Sequence, residues 1–183
     1  MYLKHICLTG GDPRELEEIF RQIRGVCETA VGEATDAAGE TFAALRLAYD
    51  PKKMDLSQLL DLHFALVSPH SPDGQGRARG KKYRAGVLYE EAEDEPHIEL
   101  YMHFLRSRGK PAAATGANLT LNDPLEKKKA ARPCYATAAP LKSFTPAPDA
   151  EQRYYARHVE AAPYACIDFA HFWASVRGIR AGE

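Results

Sequence analysis

The sequence predicts an α+β fold in which two helices pack on one face of an antiparallel sheet. Three observations carry this: four β-rich runs, two amphipathic stripes between them at helical spacing, and Gly, Pro or Asp at the joints. The first run, Lys4 to Thr9, meets Gly10-Gly11, which reads as a strand ending in a tight turn. Leu16, Ile19, Phe20 and Ile23 then recur at i, i+3, i+4 and i+7, and Gly25 stops the helix. Asp12 suits its N-cap, Pro13 its first position and Glu15 its third, so Asp-Pro-Arg-Glu has the form of a capping box with an N-terminal proline.

Two further runs, Val26 to Gly32 and Thr41 to Tyr49, flank a polar loop around Ala34 to Glu40 and suggest an antiparallel pair. Asp50-Pro51 breaks the second run. Leu56, Leu59, Leu60, His63 and Val67 mark a second helix, capped by Asp55 with Gln58 three residues on. Ser68 to Gly80 is expected as a loop and Tyr83 to Tyr89 as the fourth strand. The resulting order, βαββαβ, is that of a ferredoxin-like split unit. A third helix is expected from near Asp94 to Gly109, with Pro96 early and Ile98, Tyr101, Met102 and Leu105 on its buried stripe. Cys134 begins a further expected strand. Lys110 to Gly116 and Thr145 to Pro148 read as surface connections, so residues 1–183 are expected to form one domain. The apolar stretch from Cys166 to Val176, with Phe169, Phe172 and Trp173, is expected to dock as a short helix.

The 183 residues hold 24 Lys and Arg against 25 Asp and Glu and are 45% apolar, enough for an ordinary core without disulfides or metals. A formal charge of -1 supplies no general field for nucleic acid or anionic lipid. No apolar run approaches the roughly 20 residues of a bilayer span, and Met1 to His5 is too short and mixed for a secretory signal. A cytoplasmic protein with no nucleic-acid or membrane partner is therefore expected. Cys7, Cys27, Cys134 and Cys166 contain no CxxC pair and read as reduced thiols. His63/His70 and His97/His103 lack the i, i+4 pairing of a helical metal site, so no metal and no cofactor are expected.

A set of short motifs runs through the chain. Gly10-Gly11 is followed by Phe20, Gly25-Val26, Val31-Gly32, Tyr49-Asp50-Pro51, Leu59-Leu60, Gly74-Gln75, and Gly80 with Tyr83-Arg84. Pro140-Leu141-Lys142-Ser143-Phe144, Pro146-Ala147, and Gln152 with Tyr154 complete it. In this order and spacing the chain, to about residue 158, resembles the A-type peptide methionine sulfoxide reductases, which act on the S epimer of methionine sulfoxide. The resemblance implies a two-layer α/β sandwich with a ferredoxin-like core over about residues 4–158 and a C-terminal extension over about 159–183.

The chain departs from that family where its chemistry should lie. The family has a nucleophilic cysteine after the paired glycines, then Phe and Trp around the substrate methyl; here those positions are Asp12, Pro13 and Arg14. A family glutamate three residues past the Trp position is kept as Glu17, and the tyrosine of its Gln-Tyr-Arg-Ser segment as Tyr83. The tyrosine expected after Val31-Gly32 is Glu33, the aspartate two residues before Gly80 is Ala78, and a Tyr-His pair falls on Ala150 and Glu151. In the family's mechanism a thiolate attacks the sulfoxide sulfur, acids protonate the departing oxygen, and the thiol becomes a sulfenic acid and then a disulfide. A carboxylate has no accessible oxidised form, and loss of a catalytic nucleophile commonly costs on the order of a millionfold in rate. The helix dipole that would lower a thiol pKa at this position equally stabilises an anionic cap.

Cys7 lies up to roughly 16 Å from Asp12 at extended spacing, and Cys27 roughly 18 Å away beyond the first helix. Only Cys166, in the segment where family members often carry recycling cysteines, has the freedom to reach the site. The expected function is a non-reductase paralogue that binds a small ligand or peptide in the remnant pocket through Glu17 and Tyr83, with Asp12, Arg14 and Glu33 around it. The alternative is a peptide-methionine (S)-S-oxide reductase rewired through Cys166, for which thioredoxin would be a partner. The blander reading of Asp12 is an N-cap worth about 1 kcal/mol, and that of Glu15, Glu17 and Glu33 is surface solvation rather than an acidic cleft. The basic stretch Arg77 to Arg84 would rim the pocket; Glu126 to Lys129 with Arg132 reads as a solvated face.

Overall fold

The computed structural model describes residues 2–108 and 133–182. In chain order come β1 (Lys4–Thr9), α1 (Pro13–Phe20), β2 (Val26–Asp36), β3 (Thr41–Tyr49) and α2 (Leu56–Leu66). The two-residue strands β4 (Gly74–Gln75) and β5 (Ala78–Arg79) precede β6 (Gly86–Tyr89) and α3 (Glu95–Arg108). After residue 132 come β7 (Thr137–Pro146), α4 (Tyr154–Arg157) and α5 (Phe169–Ser175). Strands β6, β1, β3 and β2 pair in that order, all antiparallel. The fold is thus α+β, as expected. Among the described residues no helix is long and apolar enough to cross a membrane.

Several details differ from expectation. A fifth strand, β7, lies antiparallel to β2 and parallel to β6, so the sheet closes on itself instead of remaining a four-stranded open layer. β2 extends to Asp36, because Ala34 and Thr35 keep pairing with Phe42 and Thr41 on one side and with β7 on the other. The expected loop Ser68 to Gly80 contains the β4–β5 hairpin. Lys81–Tyr83 forms a 3-10 turn, which delays the next strand to Gly86. Cys134 precedes β7, which starts at Thr137. Gly109, Lys110 to Gly116 and Glu126 to Arg132 lie outside the described residues.

Strand alternation divides the apolar residues into two cores. Ile6 and Leu8 of β1, Leu45 and Leu47 of β3 and Val87 of β6 face the helices, where they meet Leu16, Ile19 and Phe20 of α1 and Leu59 and Leu60 of α2. The opposite faces enclose a smaller cluster of Cys7, Ala34, Phe42, Ala44 and Leu88 inside the closed sheet. Phe172 of α5 docks on the larger core, as the apolar tail predicted. The expected capping box of α2 is present, with Asp55 accepting from the Gln58 N–H at 2.8 Å. That of α1 is not: Asp12 caps the helix through the Arg14 N–H at 2.9 Å, and the Glu15 carboxylate turns away to the C-terminal segment.

β7 approaches its neighbours closely on both flanks. A Cβ on Gly32 would stand 2.2 Å from the Thr145 carbonyl oxygen, and one on Gly86 would stand 2.7 Å from that of Thr137. Both opposing atoms are backbone, so neither can swing aside. Gly32→Ala is expected to lower the denaturation midpoint by the equivalent of at least ~2 kcal/mol and to strip hydrogen-exchange protection from β7. Unchanged protection at Thr145 and Phe144 would refute the close-packing account.

His63 is fully buried, and its Nε2–H donates to the Thr9 carbonyl at 3.0 Å. Burial lowers its pKa from 6.5 to about 4. The unfolded chain therefore takes up this proton first, so the His63 contribution is undiminished above pH 6.5 and stability falls as pH drops toward 4. The full loss is on the order of 3 kcal/mol. Denaturant titrations between pH 5 and 6.5 should show this slope, and His63→Gln should flatten it.

Candidate functional site

The Gly10-Gly11 turn delivers the start of α1 into a cavity of about 670 Å³. Gly11 adopts φ +71°, a left-handed conformation suited to glycine, while its N–H donates to the Tyr83 carbonyl at 3.0 Å. Asp12 to Glu15 form one side of the cavity, and Val31 to Glu33 of β2 with Ala43 of β3 form another. Gln75 to Ala78 and Tyr83 contribute a third side. The C-terminal segment closes it with Glu151, Tyr155, Tyr164, Cys166 and Ile167.

The polar groups in this cavity are extensively paired. Arg14 binds Asp12 through Nε at 3.0 and 3.1 Å and through Nη2 at 2.7 Å, and reaches Glu151 through Nη1 at 3.0 Å. Its guanidinium also lies 4.6 Å from the Tyr154 ring centroid. The hydrogen bonds to Asp12, against the cost of burial, hold the Arg14 pKa above its ordinary value. The buried Glu15 carboxylate accepts the Cys166 and Ile167 N–H groups, each at 3.0 Å. Desolvation raises the Glu15 pKa, opposed by these two hydrogen bonds. Arg77, beside Cys166, donates to the Tyr164 carbonyl. Burial, reinforced by Glu15 and Asp12, pushes the Tyr155 pKa up to about 12.

Of the residues singled out from sequence, Asp12, Arg14, Glu33 and Tyr83 line this cavity together. Glu17 does not. It is 1% exposed, accepts the Thr29 hydroxyl at 2.9 Å and accepts the Arg153 N–H at 2.6 Å. The expectation that Glu17 stands beside Tyr83 in the pocket is corrected on that geometry: one turn of α1 carries it behind the cavity, where it fixes a chain corner. Arg153 is the non-glycine residue with positive φ among those described, at 51°. The adjacent Gln152 amide bonds both the N–H and the carbonyl of Val31, at 2.7 and 2.8 Å. Cys166 lines the cavity, as its position suggested, while Cys7, Cys27 and Cys134 do not. Sequence reasoning missed Tyr155, whose signal was its place next to the matched Gln152 and Tyr154, and the use of Glu15 to hold the C-terminal segment.

Residues 4–177 match the family model described as peptide methionine sulfoxide reductase. The enzyme named peptide methionine sulfoxide reductase MsrA from Clostridium acetobutylicum is 29% identical over 165 residues, covering 83% of this chain and 88% of its own. The crystal structure of reduced Mxr1 from Saccharomyces cerevisiae shares the fold, with TM-score 0.68 and 18% identity over 91% of this chain and 90% of that one. So does methionine sulfoxide reductase A of Corynebacterium diphtheriae, with TM-score 0.62 and 17% identity over 98% and 84%. Mxr1 is also seen in complex with Trx2, with TM-score 0.54 and 18% identity over 83% and 84%.

Glu17→Ala is expected to leave the Thr29 hydroxyl and the Arg153 N–H without their acceptor and to cost about 2 to 3 kcal/mol. Thermal denaturation reads the loss, and proteolysis should become faster near Arg153. A variant as stable as the parent would remove Glu17 from the structural role assigned to it.

Proposed function

The chain belongs to the peptide methionine sulfoxide reductase family, and within that family we propose that it is a non-reductase paralogue that binds a small ligand or peptide in its cavity. The observation that carries this reading is Asp12 at the cavity's end of α1, where the resemblance expects sulfur. Its two carboxylate oxygens are engaged by Arg14 and by the helix N-terminus, so it behaves as a structural anion. An aspartate cannot donate the electron pair that sulfoxide reduction requires. Tyr83, Arg14 and Glu33 are assigned to ligand contact and Asp12 to holding Arg14. Glu17, the other retained family position, acts through the Arg153 corner and not on the ligand. The order β6-β1-β3-β2, with α1 and α2 as crossovers, supports reading the core as ferredoxin-like, with β7 added to it and one domain spanning 1–183.

Cys166 supports a second reading, because its thiol shares a cavity with Asp12. In that case Cys166 would supply the electron pair and a thioredoxin would renew it. The two readings separate in an assay of a methionine-(S)-sulfoxide peptide with dithiothreitol or thioredoxin as reductant. The expected outcome is turnover at least about a millionfold below that of a cysteine enzyme. Readily measured turnover that disappears in Cys166→Ser would establish the second reading and end the first.

A further inference from the structure

The cavity and its rim carry opposite charge. Inside, the carboxylates are Asp12, Glu15, Glu33 and Glu151; Arg14 bonds Asp12 and Glu151, while Glu15 and Glu33 take part in no ion pair among the described residues. The loop from Asp73 to Arg84 holds five cations, Arg77, Arg79, Lys81, Lys82 and Arg84, against the one carboxylate of Asp73. Two of the five are committed to carbonyls: Arg77 donates to that of Tyr164 and Arg84 to that of Pro72. Arg79, Lys81 and Lys82 are exposed and take part in no ion pair among the described residues.

Backbone pairing holds these three cations at the mouth. Arg79 ends the β4–β5 hairpin, the Gly80 N–H donates to the Asp73 carbonyl at 2.9 Å, and the Arg84 N–H closes the Lys81–Tyr83 turn on the Lys81 carbonyl at 3.1 Å. Ala78 and Tyr83, which bracket the three cations in sequence, both line the cavity, and Lys82 Nζ lies 4.9 Å from the Tyr83 ring centroid. A second feature is Tyr164, another lining residue, which is 74% exposed and whose carbonyl is held by Arg77. An exposed aromatic beside a row of cations offers both apolar and charged contact to a chain laid across the mouth.

Building on the ligand-binding reading above, we propose that the mouth docks an acidic peptide: a neutral side chain enters the cavity while the acidic residues beside it lie on Arg79, Lys81 and Lys82. The sign of each part restricts the ligand. A small free anion is attracted by the rim but repelled by Glu15 and Glu33 inside, and a basic peptide is repelled at the rim. A peptide keeps the two parts separate, because successive side chains of an extended segment point to opposite sides about 3.3 Å apart along the chain. The formal charge of -1 gives the whole molecule no such preference, so selection rests on this local row. One exposed charge contact is worth up to about fivefold in affinity, so two acting together set a preference of about tenfold.

The test is fluorescence anisotropy of the full chain with dye-labelled pentapeptides centred on methionine-(S)-sulfoxide and flanked on both sides by glutamate, glutamine or lysine, at low salt and at about 0.15 M. At low salt the glutamate peptide should bind about tenfold tighter than the glutamine peptide, with the lysine peptide weakest. Added salt should narrow the gap. Lys81→Glu combined with Lys82→Glu, both exposed and outside the cavity lining, should abolish the gap and leave the glutamine peptide's affinity unchanged. If the glutamate and glutamine peptides bind alike, or if the double variant keeps the gap, the acidic-peptide assignment falls while ligand binding in the cavity stands. It falls equally if pentaglutamate, which has no neutral centre, binds as tightly as the glutamate peptide, since the row is then a general anion patch. Retention on phosphatidylserine vesicles that the glutamate peptide does not reverse would overturn it in favour of a membrane surface. If none of the peptides binds, the assignment falls together with the peptide form of the ligand-binding reading.

Discussion

The close approach of β7 to its two neighbours is the constraint from which the rest of the structure follows. Gly32 on β2 and Gly86 on β6 leave room for backbone where any side chain would collide with a carbonyl. Once β7 is seated, the chain leaves it beside β2, and the Ala147 N–H donates to the Val31 carbonyl at 2.8 Å. Gln152 then bonds the same Val31 from the side, and Arg153 turns the corner against Glu17. That corner brings Tyr155 and, further on, Cys166 to the cavity. The C-terminal third of the chain is therefore located by a sheet pairing more than by its own short helices.

The cavity is also an arrangement of charge. An anion belongs at the N-terminus of α1 for reasons independent of catalysis, since the helix dipole and the unpaired N–H groups favour it. Asp12 satisfies that demand, and with Pro13 at the next position the helix start is stiffened. Arg14 then ties the anion to Glu151, across 137 residues of sequence, and stacks on Tyr154. Asp12 is 24% exposed and Arg14 31%, so solvent weakens this pair, but its forked geometry still orders both side chains. Each of the three guanidinium nitrogens holds a carboxylate oxygen, so three of its five N–H donors are engaged and two remain for a ligand, while Glu15 and Glu33 have no such cationic partner among the described residues.

Local signals were the legible part of the sequence. The Asp12-Pro13 start of α1, the Asp55/Gln58 box of α2, the span Thr41–Tyr49 of β3 and the docked Phe169–Ser175 helix all follow from spacing and capping chemistry. A strand was expected from Cys134, but the start and extent of β7 did not stand out, because Pro140 and Pro146 lie within it and its burial has no clear alternation. Its evidence lay in the glycines of other strands. Glu17 misled for a related reason: a retained position says that a side chain is needed, and not whether it meets a ligand or a backbone N–H. Glu15 fits a capping box locally, yet the two backbone donors near residue 166 are a nonlocal alternative that no short window contains.

The electron balance sets what Cys166 would need in order to serve as the nucleophile of the second reading. Reducing a sulfoxide takes two electrons, and a single thiol provides them only by becoming a sulfenic acid, which a second thiol must then reduce to complete a cycle. Among the described residues Cys166 is the cysteine that lines the cavity. Cys7 is enclosed within the closed sheet, where burial pushes its pKa up to about 12, so it is neither ionised nor accessible. Cys27 is exposed at the far end of α1, and Cys134 stands outside the cavity. The resolving thiol would then have to arrive from another molecule. The cavity wall beside this one candidate sulfur is fastened by the two backbone hydrogen bonds to Glu15, so any thiol exchange at Cys166 takes place next to a tethered segment.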